Sequence, residues 1–333
     1  MYKLLYVLVS TDKDLYCEQC MISIMSARRN SPKSKIALLL DEDTEICLKN
    51  HCARKKIFDM VDECVSVPRP QNFSGMETSR YLKTSMRKFI KGDFLYIDSD
   101  TIVSSPLDDV ENVSFDFGAV LDQHMNLSQS SHAIISRQHI VKVSGIKELG
   151  LCERYFNGGV LWVRDCESNY KFFEDWNKNW MMSRLKGIKT DMPALMLTNY
   201  QNENSICELG GEWNCQVWFG VNYLSKAKII HYFTSIETFT GGYGKFSVDL
   251  PMKIKRGELL DEQDWTLIQN ARCAFPSPNA IITGSDYEIY RSSLCGILRA
   301  LYRKKRIFDF LEKMLVGVRI FRANILRKNN NKK

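Results

Sequence analysis

No stretch of this chain approaches the roughly 18 consecutive apolar residues that span a bilayer, although 44% of its 333 residues are hydrophobic. The apolar run Leu4 to Val9 is too short for a secretory leader and is followed by no small-residue cleavage site. A cytoplasmic protein is expected. A disulfide framework is also missing, because the eleven cysteines are odd in number and scattered. Most are expected as free thiols. Cys17 and Cys20 form the lone C-x-x-C, and no second pair is spaced to complete a zinc site. A buried cysteine on an amphipathic helix is the expected account of that pair. No internal repeat is present.

Charge is unevenly distributed. Thirteen Lys or Arg stand against Asp309 and Glu312 between Arg291 and Lys333, a balance of +11 in a chain of net +7, so residues 1–290 carry −4. In the basic tail Leu294, Leu298, Leu301, Phe308, Leu311, Leu315 and Val318 recur at helical spacings, interrupted by Arg303 to Arg306. A basic amphipathic helix of this kind fits an anionic membrane surface, where each cation contributes on the order of 1 kcal/mol. The alternative is a stripe packed on the body with solvated charges. Aromatics do not interleave these cations, so no nucleic-acid partner is expected.

The most informative segment is Phe94-Leu95-Tyr96-Ile97-Asp98-Ser99-Asp100. An apolar strand runs into two carboxylates spaced i, i+2, and strand geometry directs both to one side. Such a pair repels itself unless a divalent cation neutralises it, and hard oxygen ligands suit Mg²⁺ or Mn²⁺. An open α/β sheet binds ligands at its carboxyl edge. The expected ligand is therefore anionic and metal-chelating, such as a nucleoside diphosphate. Upstream, Arg80 and Lys83 precede Met86, Phe89 and Ile90 on a helical pattern, which supplies two cations close to the pair.

Taken in order, these motifs and those that follow resemble the retaining glycosyltransferases of family 8, the group of glycogenin and the bacterial lipopolysaccharide galactosyl- and glucosyltransferases. The resemblance covers residues 1 to 235. It implies a uridine-binding start at Ser10, Thr11, Asp12 and Tyr16 after the first strand. Taken alone, Thr11 and Asp12 serve equally as a strand-to-helix cap, and Tyr16 as a core aromatic or a base-stacking one. Tyr155-Phe156-Asn157-Gly158-Gly159-Val160-Leu161 is similar to the family's donor-sugar stretch, with Asn157 and Gly158 in the site. Thr190-Asp191-Met192-Pro193 sits where the family has Asp-Gln. His231, after Ile229 and Ile230, would complete a metal site with Asp98 and Asp100, a mixed set that suits Mn²⁺ or Mg²⁺. Asp122 falls where the family's acceptor-binding aspartate stands, though an exposed strand-end carboxylate accounts for it equally, and Trp213-Asn214, where the family has an aromatic-Asn pair, is expected to pack rather than react.

Two departures matter. Met192 replaces the glutamine beside the donor sugar, so no protein nucleophile is available there. Front-face retention is implied, with Asp191 left to hold sugar hydroxyls. The family's glycine and lysine after the histidine are also missing, since Tyr232-Phe233-Thr234-Ser235 follow. Lys245, Arg80 or Lys83 would have to substitute for that lysine.

The resemblance implies a GT-A type, Rossmann-like, mostly parallel α/β sheet, consistent with alternating strand-like and helical runs. The expected division is a catalytic domain at 1–250 that binds a UDP-sugar, a peripheral segment at 251–290 and the basic tail at 291–333. The expected activity is metal-dependent hexosyl transfer to a surface-glycan acceptor, lipid-linked at the inner leaflet. Two rivals remain: a silent sugar-nucleotide-binding protein, and a haloacid-dehalogenase-like phosphatase. The phosphatase needs a threonine two residues after the second aspartate, where Ile102 stands.

Overall fold

The computed structural model describes residues 2–130, 132–219, 222–233, 244–275, 288–289, 291–302, 304 and 306–315. The first half alternates strand and helix: β1 (Lys3–Leu8), α1 (Tyr16–Asn30), β2 (Lys35–Asp41), α2 (Glu42–Lys49), α3 (Ile57–Met60), β3 (Glu63–Val67), α4 (Gly75–Phe89) and β4 (Phe94–Ile97). The short β5 (Thr101–Val103) and β6 (Phe117–Leu121) follow, then α5 (Ala133–Ser144), β7 (Phe156–Val163), α6 (Glu167–Leu185) and α7 (Met192–Gln201). Further along come β8 (Cys207–Glu208), β9 (Cys215–Gln216), β10 (Ile229–His231), α8 (Leu250–Lys255), α9 (Glu262–Gln269) and α10 (Ser293–Tyr302).

Seven strands form one sheet in the order β3-β2-β1-β4-β7-β6-β8. Pairing is parallel except where β7 runs antiparallel between β4 and β6. Alternation sorts the strand residues onto two faces. Leu4, Tyr6 and Leu8 pack with Cys17, Cys20 and Ile24 of α1, whereas Leu5 and Val7 pack with Leu82 and Met86 of α4 and, beyond them, Trp176 and Trp180 of α6. Both Cys17 and Cys20 are fully buried. Helices therefore cover both faces, as a mostly parallel sheet requires. A second sheet, β5-β10-β9, lies beside the first.

The segment expected to be peripheral contributes Ile254, Ile268, Ala271 and Phe275 to the α1-side core. Lys255 of α8 reaches back with Nζ to donate to the carbonyls of Asp12 (2.5 Å) and Asp14 (2.9 Å). In the tail α10 and residues 306–315 are helical, and Leu294 and Leu315 are exposed. Arg303, Lys305, Val318 and everything after residue 315 lie outside the described residues. No helix among the described residues is long and apolar enough to cross a membrane.

Candidate active site

The carboxyl ends of β1 and β4 open into a cleft of about 380 Å³ that holds most of the expected site residues. Thr11, Tyr16, Arg80, Lys83, Asp98, Ser99, Asp100, Asn157, Gly158, Asp191, Met192 and His231 all line it. Ser10 and Asp12 do not. Ser10 is buried and donates its hydroxyl to Asp14 (2.5 Å), and Asp12 accepts from Cys47 Sγ (3.1 Å). The carboxylate that faces the cleft from this loop is Asp14, which also accepts from the Thr11 amide (2.7 Å) and hydroxyl (2.8 Å). Such local carboxylate-to-amide bonds are what acidic residues supply before a helix. Arg54, itself fully buried against Glu18 (2.6 Å), donates to the carbonyls of Thr11 (2.7 Å) and Asp14 (2.6 Å). Lys245 pairs with Asp249 at 3.1 Å and is absent from the cleft lining.

Helix α4 presents its N-terminal turn to the cleft through Gly75, Met76 and Ser79. A capping box starts it, with the Ser74 hydroxyl accepting from the Glu77 amide and the Glu77 carboxylate accepting from the Ser74 amide. Ser74 holds the Glu77 carboxyl down to about 2, aided by Arg184 of α6, which donates to it at 2.7 Å. One turn on, Arg80 Nε lies 3.2 Å from Asp191 Oδ1, and Lys83 Nζ lies 3.3 Å from Asp191 Oδ2 and 3.4 Å from Asp98 Oδ1. Burial alone would raise the Asp191 carboxyl, but Lys83 and Arg80 hold it below the ordinary carboxylate range. The Tyr96 hydroxyl donates to the same Asp98 oxygen that Lys83 approaches, and burial keeps that phenol protonated.

Asp100 and His231 meet because of strand register. His231 pairs with Thr101 across the antiparallel β10·β5 ladder, which brings its Nε2 to 3.2 Å from Asp100 Oδ1. Asp98, Asp100 and His231 offer two carboxylates and an imidazole whose ligating atoms lie within 4.8 Å of one another. This is a hard-oxygen set with one nitrogen and no thiol, which fits Mn²⁺ or Mg²⁺ better than zinc.

The two glycines in β7 clear space for these groups. The β6·β7 register jumps from Ala119↔Leu161 to Val120↔Asn157, a bulge that includes the cleft-lining Gly158 and Gly159. The Gly159 carbonyl accepts from the Asp98 amide at 2.8 Å, fixing the acidic loop. A Cβ on Gly159 would stand 2.5 Å from His231 Cε1, and one on Gly158 would stand 3.2 Å from Asp191 Oδ2. Any side chain at 159 displaces His231.

Asn157 faces inward rather than only toward the cleft. Its Nδ2 donates to Asp122 (2.9 Å), and its Oδ1 accepts from the Gly159 amide (2.9 Å) and from Asn214 Nδ2 (2.9 Å). Asn214 Oδ1 in turn lies 3.0 Å from His231 Nδ1. Burial raises the Asp122 carboxyl, against the Asn157 bond that lowers it. The turn after Asp122 places Gln123 (φ 59°) and His124 (φ 57°) in the left-handed region, at a cost on the order of 1 kcal/mol each. Bonds to Gln216 of β9 hold it there. Asp14, Ser79, Tyr96, Gly159 and Phe233 also line the cleft; the apolar strand and the double glycine were the only sequence signals for two of them.

No protein-family model matches the chain. No curated protein matches it either. Among solved structures it is similar to the apo bifunctional glycosyltransferase WbbM, with a TM-score of 0.50 and 14% identity over 80% of this chain and 51% of that one. The fold is that of the GT-A glycosyltransferases. The chain spans about half of WbbM. It is also similar, at lower scores, to the galactosyltransferase LgtC in complex with donor and acceptor sugar analogues (TM-score 0.47, 14% identity, 80% and 99% covered). Mouse xyloside xylosyltransferase 1 scores 0.45 at 11% identity, with 69% and 97% covered. In a GT-A sheet, as in any open α/β sheet, the ligand crevice lies outside the carboxyl ends of the strands, which is where Asp98, Asp100 and Asp191 gather.

Proposed function

We propose that the chain is a metal-dependent retaining glycosyltransferase of the family 8 kind, moving a hexosyl unit from a UDP-sugar to a surface-glycan acceptor. The observation that carries this is the convergence of Asp98, Asp100 and His231, from two distant segments, at the mouth of a crevice floored by Asp191. A divalent cation held there supplies Lewis-acid neutralisation of the leaving diphosphate. The chain's own groups do the rest. Arg80 and Lys83 lie within ion-pair distance of Asp191 and are the cations available to phosphate oxygens. The N-terminal turn of α4 adds dipole attraction for an anion. Asp191 and Asn157 address sugar hydroxyls, and Thr11, Asp14 and Tyr16 address the nucleoside. Met192 has no group able to attack the anomeric carbon, which favours attack by the acceptor on the leaving group's face.

The acceptor is proposed to be lipid-linked at the inner leaflet. The support is the exposed apolar residues Leu294, Ile297, Phe310 and Leu315 in a strongly basic segment. A cytoplasmic, peripheral location goes with this reading.

The deciding experiment is release of UDP from a panel of UDP-sugars by purified protein, with Mn²⁺ and with EDTA. Metal-dependent release from one donor is expected, and it names the sugar. Tight UDP binding with no turnover on any donor, even with glycan acceptors present, would leave a sugar-nucleotide-binding protein instead.

A further inference from the structure

The hydrogen-bonded chain that runs from Gly159 and Asp122 through Asn157 and Asn214 to His231 has a fixed polarity. A backbone N–H can only donate, so the Gly159 amide at 2.9 Å requires the Asn157 oxygen to face it, which turns the Asn157 nitrogen to Asp122. That same oxygen, 2.9 Å from Asn214, can only be met by the Asn214 nitrogen. The Asn214 oxygen is thereby aimed at His231 Nδ1, 3.0 Å away. An amide oxygen accepts and never donates, so Nδ1 carries the proton. In the neutral ring the lone pair is then on Nε2, 3.2 Å from Asp100.

We infer that Asn214 is a positioning residue that locks His231 in the Nδ1–H tautomer and so presents Nε2 as a ligand to a divalent cation. The affinity part of this inference rests on the metal site of the proposed function; the tautomer part does not. Asn214 and His231 are both buried, at 0% and 2% exposure, and Asn214 sits immediately before β9, whose parallel register sets Gln216 beside His231. The strand pairing therefore fixes the distance. Partners on the far nitrogen of a metal-binding histidine typically change metal affinity 10- to 100-fold when removed.

The test has two readouts on the full chain. Long-range ¹⁵N–¹H NMR of the metal-free protein, at a pH where the ¹⁵N shifts show the rings to be neutral, reports the tautomer of each ring. His231 is identified among the five histidines by the signal lost in His231→Gln. Nδ1–H is expected in the wild type and in Asn214→Asp, which keeps an acceptor, and Nε2–H or a mixture in Asn214→Leu. Mn²⁺ titration followed by electron paramagnetic resonance is expected to show about 10- to 100-fold weaker binding in Asn214→Leu than in the wild type. A wild-type ring protonated at Nε2 overturns the inference without need of a variant. So does an Asn214→Leu protein with unchanged tautomer and Mn²⁺ affinity. A wild type that carries Nδ1–H but binds no Mn²⁺ overturns the metal reading and the affinity claim with it, and leaves the tautomer assignment supported.

Discussion

The cleft has two halves that handle charge differently. On the α4 half, Asp191 lies between Arg80 and Lys83, and Asp98 is approached by Lys83 and Tyr96. On the β10 half, Asp100 faces an imidazole, which is a cation only if it gains a proton. The first half holds its charge with groups folded into the protein. Under the proposed function the second is completed by an ion. The two should therefore fail differently: damage to one is read first in stability, damage to the other in chemistry.

Asp100→Ala is the strongest way to sharpen that contrast. UDP release is expected to fall by about a thousandfold, the several kcal/mol a bound cation supplies to charge stabilisation, while the urea midpoint stays near that of the wild type. Wild-type turnover in this variant would remove Asp100 from the metal site. Lys83→Met removes a cation proposed to meet phosphate oxygens, so turnover falls as well, but it adds a stability loss that Asp100→Ala lacks. Breaking a buried pair costs about 3 kcal/mol or more, because Asp191 at 7% and Lys83 at 4% side-chain exposure have little water to turn to. Calorimetry should show the melting temperature lowered by roughly 6 °C, and an unchanged temperature would put both halves in the same class. Glu77→Gln gives the smallest effect. The Glu77 carboxyl is depressed to about 2 by Ser74 and Arg184, so its contribution is present above the unfolded-state value of about 4.3 and is lost as pH falls toward 2. Denaturation of the wild type across that window should show a stability loss that the variant lacks. Equal slopes would mean that the cap does not anchor the charge-balanced half.

The α4 half was the more legible of the two. Arg80 and Lys83 stand three residues apart on one helical face, and the apolar run Phe94 to Ile97 marks β4. Strands β1, β2, β4, β6, β10 and the second half of β7 were visible as apolar runs. The register of β5 on β10, which carries His231 to Asp100, was not, because a three-residue strand has too little pattern to show its partner. The sheet was expected to be mostly parallel, and the antiparallel β7 that holds the glycine bulge is an exception no composition reveals. Asn214 was visible only as half of an aromatic-Asn pair. Its bond to His231 depends on three segments meeting, and such a contact leaves no local trace in the chain. Asp12 and Asp14 stand two residues apart in one loop, and which carboxylate turns to the cleft is decided by Arg54 and Lys255, 40 and 241 residues downstream of Asp14.

Those two cations have a consequence of their own. Arg54 and Lys255 between them donate to the carbonyls of Thr11, Asp12 and Asp14, so the loop that would receive a nucleoside is tied down before anything binds. Immobilising a side chain on association costs about 0.5–1.5 kcal/mol, and a loop already at rest spares a ligand part of that entropy. Nucleotide affinity in this protein would then be set partly from behind, by a buried arginine that touches no ligand, and a change there would loosen the grip without altering a single contact surface.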